Sequence, residues 1–199
     1  MLLHKAIEYA AIQHRNQYRK GTDTPYIVHP MEVLQILAAN DCNENVQIAG
    51  VLHDTVEDTD STIEDIEMLF GHDVAELVAS DTEDKSLPWL ERKEQALAKV
   101  KDESTEAKQL LCADKLANIK SVYYDKRIVG DNVWSRFKGS PSQTEWYYKA
   151  VLTALKELGE TKMYKELVYY VSLVFCRRLR RKKKSCRCCL IDTSTTVNI

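Results

Sequence analysis

Glycine and proline are scarce in this chain, with six and four occurrences among 199 residues. Both residues mark turns, so their scarcity argues against a protein built from many short strands and tight hairpins. Alternation of apolar and polar residues, the pattern of a half-buried strand, is also weak. Apolar residues recur instead at helical spacing, as they do in residues 2–15. The sequence therefore predicts an all-α protein.

Long hydrophobic segments are also lacking. The longest apolar run, residues 167–176, has ten residues and includes one serine, which is about half the length of a membrane-spanning helix. The N-terminus begins an amphipathic helix without the long apolar core of a signal peptide. The six cysteines do not have the spacing of a disulfide framework, and free thiols are typical of a reducing compartment. We therefore expect a cytoplasmic protein.

Charge is unevenly divided along the chain. Residues 177–187 contain eight Lys and Arg and no acidic residue, whereas residues 1–176 hold 20 basic and 29 acidic side chains, a net charge of −9. This division predicts one domain over residues 1–176 and a basic, cysteine-containing tail over residues 177–199. An acidic domain argues against a broad nucleic-acid-binding surface. The sequence does not predict an oligomeric state.

The tail allows two interpretations. Residues 177–189 combine basic residues with three cysteines, which is the composition of a weak contact with an anionic membrane that acylation would strengthen. Like charges also repel one another and keep a segment extended in solvent. We expect a disordered, solvated extension and keep the membrane contact as the alternative.

Acidic residues and a histidine are concentrated in residues 53–59, which read His-Asp-Thr-Val-Glu-Asp-Thr. In a continuous helix, positions four apart share a face, so His53 would lie below Glu57 and Asp54 below Asp58. Four ionisable groups on one stripe are costly in a plain core and suit a divalent cation with an activated water. On the residues alone, Glu57 and Asp58 also fit a solvated helix end.

Two residues elsewhere in the chain are candidate ligands for the same ion. His29 begins a predicted helix directly after a polar loop, and Asp114 lies in the middle of a strongly apolar predicted helix. A carboxylate in such a helix must be paired, protonated or bound to a cation. Asn118 lies one turn beyond Asp114 on the same face. We expect the remaining histidines to be structural or solvated: His4, His14 and His72.

The order His29, His53-Asp54, Asp114 resembles the H…HD…D pattern of the HD-domain metal phosphohydrolases. The surrounding segments resemble the hydrolase domain of the RelA/SpoT family over about residues 1–170. Residues 82–93 are similar to its stand-alone branch, the small alarmone hydrolases and the metazoan SpoT homologue. The segments that carry the resemblance are residues 19–20, 25–30, 53–59, 82–93 and 113–118.

The resemblance implies a helical bundle with a metal site between its helices. It places the metal ligands on His29, His53, Asp54 and Asp114, with Mn²⁺ as the usual ion. The chemistry of this ligand set would also admit Fe²⁺, Co²⁺ or Zn²⁺. The resemblance further implies that Glu57 and Asp58 orient and deprotonate the attacking water.

The resemblance also implies a substrate site. Arg19 and Lys20 correspond to the pair that contacts the guanine and the phosphates, and Asn118 to the residue that meets the nucleoside. Lys85 and Lys115 are expected to bind the diphosphate. On the residues alone, Arg19 and Lys20 also fit an ordinary charged surface loop.

The implied activity is hydrolysis of guanosine 3′,5′-bis(diphosphate), which releases pyrophosphate from the 3′ position. The substrate partner is then a small guanine nucleotide, and no synthetase activity is expected. One alternative is an HD-domain phosphatase acting on another nucleotide, such as NADPH. An alternative of another class is a module that binds a nucleotide without turnover; the presence of both Glu57 and Asp58 speaks against it.

Overall fold

The computed structural model describes residues 2–175, and all regular structure in that range is helical. The one β-type contact among these residues is an isolated bridge between Tyr18 and Pro25. The prediction of an all-α protein is therefore confirmed. The helices in chain order are α1 (Leu2–Gln13), α2 (Val28–Ala38), α3 (Glu44–Leu52), α4 (Thr55–Asp58), α5 (Ile63–Phe70), α6 (His72–Asp81), α7 (Trp89–Val100), α8 (Thr105–Val129), α9 (Pro141–Ala154) and α10 (Lys162–Phe175).

Helix α8 is the axis around which the bundle is built. It begins at the N-cap Ser104, whose side chain accepts a hydrogen bond from the backbone N–H of Ala107, and ends before Gly130, which has a φ of +64°. Helices α2, α3, α6 and α10 all pack against it. Fully buried leucines such as Leu110 and Leu167 fill these contacts. The middle of α8 is therefore enclosed, and a polar residue there faces other helices rather than water.

The sequence predicts a helix over residues 44–57, but in the structure this helix is interrupted. Helix α3 ends at Leu52, a turn follows at His53 and Asp54, and α4 starts at Thr55. The expectation that His53 stacks below Glu57 on one continuous helix is therefore wrong. Asp54 still lies one helical turn before Asp58, because the backbone N–H of Asp58 donates to the carbonyl oxygen of Asp54 at 2.9 Å.

The start of α5 is one residue later than the sequence pattern suggests. We expect a capping box over residues 61–64, but the N-cap is Thr62 and the reciprocal partner is Asp65. The carboxylate of Asp65 accepts a hydrogen bond from the backbone N–H of Thr62 at 2.9 Å. Asp65 therefore takes the place of the expected glutamate. The helix does stop at Gly71, whose φ of +93° favours glycine.

The last described helix, α10, reaches Phe175. The sequence predicts a helix over residues 162–178, of which residues 176–178 lie outside the described residues. The tail 177–199 and its membrane-contact alternative also lie outside them. The domain boundary at residue 176 therefore stays a prediction. Among the described helices, none has the length and apolar character that crossing a bilayer requires.

Candidate metal and nucleotide site

Three buried side chains from three helices meet at one point. His29 lies in the first turn of α2, His53 caps the C-terminal end of α3, and Asp114 lies in the middle of α8. Each is at most 3% exposed. One ligand-capable atom from each lies within 4.8 Å of the other two. Buried ionisable groups need a partner, so this cluster is a candidate metal site.

The imidazole of His53 is oriented for binding a cation. Its Nδ1 lies 2.9 Å from the backbone carbonyl oxygen of Gly50. Because a carbonyl can only accept, Nδ1 carries a proton, and a neutral His53 ring would have its lone pair on Nε2. That Nε2 atom lies 3.2 Å from Nε2 of His29. A cation bound by both nitrogens fits this arrangement, and the contact to Gly50 fixes the ring as in known metal sites.

Asp54 adjoins the cluster on the side of a large cleft. Its Oδ2 lies 3.5 Å from His29 Nε2 and 3.2 Å from His53 Nε2. The set of atoms within 4.8 Å of one another comprises His29, His53 and Asp114, so Asp54 stands at the edge of this set. Two imidazoles and two carboxylates are a donor set that suits a divalent transition-metal ion.

Opposite charges offset the cost of burying this cluster. Burial disfavours the charged form of His53, but Asp54 and Asp114 raise its pKa well above the ordinary value. Burial likewise opposes ionisation of Asp54, and His53 holds the pKa of that carboxyl below its ordinary value. The site therefore calls for positive charge between its carboxylates. A divalent cation meets this requirement.

Lys115 supports one carboxylate of the cluster directly. Its Nζ forms an ion pair with Asp114 Oδ2. Burial disfavours the charged form of Lys115, but Asp114, Tyr147 and Asp81 raise its pKa well above the ordinary value. The same ion pair contributes to the lowered pKa of Asp114. Lys115 also lines the cleft, so its assignment to the diphosphate stays a prediction.

The two candidate catalytic carboxylates share a lysine. Lys85 Nζ forms an ion pair with Asp58, lies 3.4 Å from Glu57 Oε1, and donates to the backbone carbonyl of Glu57 at 2.8 Å. Burial and the nearby Asp54 raise the pKa of Glu57, and Lys85 opposes that rise. A carboxylate with a raised pKa and a nearby metal site has the properties of a general base.

Arg19 lies on the loop before α2 and is connected to the metal cluster through the side-chain amide of Asn118. The Arg19 side chain donates from Nη2 to Asn118 Oδ1 at 2.8 Å, and Asn118 donates from Nδ2 to Asp114 Oδ1 at 2.5 Å. The loop itself is closed by a backbone bond from Arg19 N–H to the carbonyl of Thr24. Lys20, the next residue, is exposed and lines the cleft. Arg19 and Asn118 are 99 residues apart in the sequence, so the fold brings them together.

A cleft of about 930 Å³ brings the predicted residues together. Its size lies in the range of small-molecule sites. Every predicted site residue except His53 lines this cleft, and His53 lies behind its wall. The predicted residues on the wall are Arg19, Lys20, His29, Asp54, Glu57, Asp58, Lys85, Asp114, Lys115 and Asn118.

The cleft also contains charged residues that sequence analysis does not assign to the site. Glu83 lies 3.2 Å from Arg92 Nη1 and 2.5 Å from Lys93 Nζ. Burial, and then Lys115, lower the pKa of Lys93. Glu83 lies in the loop before α7, whereas Arg92 and Lys93 lie on α7. Helical spacing in the sequence therefore does not predict that these three residues are in contact. Their grouping becomes visible only when the loop before α7 folds back.

Tyr26 is the second feature that sequence analysis misses. It belongs to the segment 25–30 that carries the resemblance, but the sequence assigns its hydroxyl no role. In the structure the hydroxyl contacts both Asp54 and Asp58. Burial and these two carboxylates raise the pKa of Tyr26 far above its ordinary value, so the hydroxyl remains a donor.

Residues 6–122 match the family model described as the HD domain. This chain belongs to the HD-domain family. The match includes all three residues of the buried cluster and Asp54, and it ends within α8. The family relationship therefore agrees with a metal site built from α2, α3 and α8.

Relatives and solved structures extend the comparison. The chain is 44% identical over 121 residues to guanosine-3′,5′-bis(diphosphate) 3′-pyrophosphohydrolase MESH1 of Drosophila melanogaster and 42% identical over 121 residues to human MESH1; both alignments cover 59% of this chain and 68% of the relative. The structure of lmo0812 from Listeria monocytogenes EGD-e is 38% identical, with a TM-score of 0.70 over 75% of this chain and 99% of that one. A metazoan SpoT orthologue that hydrolyses ppGpp is 34% identical, with a TM-score of 0.71 over 85% of this chain and 93% of that one.

Adding Mn²⁺ to metal-free protein should raise the melting temperature, because an ion that binds only the folded state stabilises that state by mass action. The substitution His53→Gln should abolish this rise because it removes a buried imidazole nitrogen that would bind the metal. Differential scanning fluorimetry over a Mn²⁺ titration measures the effect. The control is His72→Gln, because His72 is exposed and, within residues 2–175, pairs with the surface residues Glu67 and Glu76. An equal rise in all three proteins would contradict the metal site.

Proposed function

We propose that this protein is a divalent-metal-dependent hydrolase that removes pyrophosphate from the 3′ position of guanosine 3′,5′-bis(diphosphate). The observation that carries the proposal is the placement of a buried His/Asp cluster at the wall of a cleft that also holds the carboxylates of Glu57 and Asp58 and several basic side chains. The activity named for the MESH1 relatives and for the metazoan SpoT orthologue supports the choice of substrate.

The proposed ion is Mn²⁺, held by His29, His53, Asp54 and Asp114. Two nitrogen and two carboxylate donors suit this ion, and they do not discriminate strongly against its neighbours in the first transition row. When bound, the ion supplies charge stabilisation at a phosphoryl oxygen and lowers the pKa of a coordinated water.

Glu57 and Asp58 are proposed to handle the proton of the attacking water. The oxygen of that water forms a bond to the phosphorus attached to the 3′ oxygen, and the bond between that phosphorus and the 3′ oxygen breaks. One carboxylate accepts the proton of the water, and a proton returns to the 3′ oxygen as it leaves. One water is consumed, and GDP and pyrophosphate are the products. The raised pKa of Glu57 brings its basicity closer to that required near neutral pH.

Arg19, Lys20 and Lys85 are proposed to neutralise the phosphates. Arg19 presents a planar guanidinium that can also stack on a base, whereas lysine acts as a point charge. Lys85 now pairs with Glu57 and Asp58, so an incoming diphosphate competes with these carboxylates for the same cation. Asn118 lies between Arg19 and Asp114, and we propose that it meets the nucleoside.

We infer that the protein works in a reducing compartment such as the cytoplasm. Cys42 and Cys112, the cysteines among the described residues, are both buried and unbridged. Burial raises the pKa of the Cys42 thiol to about 11 and that of the Cys112 thiol to about 12. Thiols of this kind are chemically inert and pack as small apolar side chains.

Metal-loaded protein should convert guanosine 3′,5′-bis(diphosphate) to GDP and pyrophosphate, and metal-free protein should not. The substitution Glu57→Gln should reduce kcat by about 100-fold or more, because general acid–base catalysis typically contributes this much. Anion-exchange chromatography resolves the products, and NADPH serves as the competing substrate.

The matched control is Glu67→Gln, which makes the same change at a half-exposed position that pairs with His72. Turnover of NADPH alone would contradict the proposed substrate. Binding of the guanine nucleotide without turnover of either compound would favour a non-catalytic module.

Replacing Lys85 by methionine should move the acidic limb of the pH profile of kcat/KM to higher pH. If ionised Glu57 is the base, activity is lost as the pH falls through the pKa of Glu57. Lys85 holds that pKa down, and removing the cation lets it rise. The control is Lys99→Met, at a lysine that pairs with Glu103 away from the cleft. A limb that stays in place or moves to lower pH would contradict the assignment of Glu57.

A further inference from the structure

The hydroxyl of Tyr26 lies between two acidic groups of the proposed site. Its oxygen is 2.7 Å from Asp54 Oδ2 and 3.0 Å from Asp58 Oδ2. Asp54 belongs to the proposed metal ligands and Asp58 to the proposed catalytic pair. The two carboxylates come from the turn before α4 and from the end of α4, so one phenol spans the whole of this short helix.

The ring that carries this hydroxyl is held on one face by a buried histidine. His14 stacks on Tyr26 with a centroid separation of 4.8 Å and an interplanar angle of 32°. His14 Nδ1 contacts Gln17 Oε1 at 2.7 Å, and Gln17 donates from Nε2 to the backbone carbonyl of Asp58 at 2.5 Å. The backbone N–H of Tyr26 donates to the carbonyl of Gln17. Gln17 therefore ties both the tyrosine and the end of α4 to one point.

The same ring also contacts the proposed substrate loop. The Arg19 guanidinium carbon lies 5.5 Å from the centroid of the Tyr26 ring, which is within the range of a cation–π contact. One aromatic side chain therefore contacts a metal-ligand candidate, a catalytic candidate and a substrate-binding candidate. A residue that served packing alone would not need a hydroxyl directed between two carboxylates.

We propose that Tyr26 is a positioning residue whose hydroxyl fixes Asp54 for metal binding and Asp58 for catalysis. The catalytic half of this inference rests on the proposed function, and the metal half does not. A hydroxyl has one proton to donate, so the two carboxylates share it and are held at a set separation. Without that proton, two like charges face each other across the same space and rotate apart.

The substitution Tyr26→Phe separates these roles because it keeps the ring and removes only the hydroxyl. Hydrogen bonds that orient a metal ligand typically contribute 10- to 100-fold in metal affinity or activity. We expect a loss of about 10-fold or more in Mn²⁺ affinity, measured by isothermal titration calorimetry on metal-free protein. In metal-saturated protein we expect kcat to fall by about 10-fold or more. KM should change little, because the contacts of Arg19 with the ring and with Asn118 remain.

The matched control is Tyr164→Phe. The Tyr164 hydroxyl donates to the backbone carbonyl of Leu152 at 2.9 Å, and Tyr164 does not line the cleft. This variant should lose stability at most, with Mn²⁺ affinity and kcat as in the wild type. It therefore shows what the removal of a structural phenol hydroxyl does.

A double-mutant cycle tests whether Tyr26 acts through Asp58. If it does, Tyr26→Phe should cost less in kcat in an Asp58→Asn background than in the wild type, because the partner is already altered. In a Glu57→Gln background the full cost should remain, since the Tyr26 hydroxyl does not contact Glu57.

The inference would be overturned by a Tyr26→Phe variant with wild-type Mn²⁺ affinity and wild-type kcat, whatever its melting temperature. Equal costs in the wild-type and Asp58→Asn backgrounds would overturn the action through Asp58. If the wild-type protein itself hydrolyses no nucleotide, the proposed function fails. The calorimetric comparison still decides whether Tyr26 positions Asp54.

Discussion

The imidazoles of His29 and His53 meet in the protein interior, and the other polar groups of the site are arranged around their contact. Their Nε2 atoms lie 3.2 Å apart in the interior, next to the carboxylates of Asp54 and Asp114. Removing such groups from water costs several kcal/mol for each ion unless the charges are compensated. The packing of α2, α3 and α8 therefore satisfies a polar cluster as well as an apolar core. The divalent cation proposed for this site would compensate these charges.

Charged and polar side chains around this cluster contact its carboxylates. Lys115 balances Asp114 from within α8, and Asn118 connects Asp114 to Arg19 on the loop before α2. Tyr26 connects Asp54 to the end of α4. The loop, the short helix and the central helix thus form one polar network around the cluster. These contacts connect a ligand bound by Arg19 and Lys20 to the side chains proposed to act on that ligand.

Much of the fold and of the candidate site can be predicted from the sequence. Helical periodicity identifies the main helices, and an aspartate in the apolar middle of α8 signals that Asp114 needs a partner. The break at His53 and Asp54 cannot be predicted in this way, because neither residue is a helix breaker. It arises where His53 turns toward His29 and where Asp54 reaches Tyr26. The contacts of Tyr26 and Glu83 are equally hidden. Tyr26 reaches carboxylates 28 and 32 residues away, and Glu83 meets Arg92 and Lys93 because the loop before α7 folds back.

The most direct test of the account is the location of the metal. Crystals grown with Mn²⁺ should give an anomalous difference peak at the manganese edge among the side chains of His29, His53, Asp54 and Asp114. The proposed metal site predicts a peak bound by these four residues, on the cleft wall beside Glu57 and Asp58. A peak elsewhere on the protein, or none at saturating Mn²⁺, would contradict it.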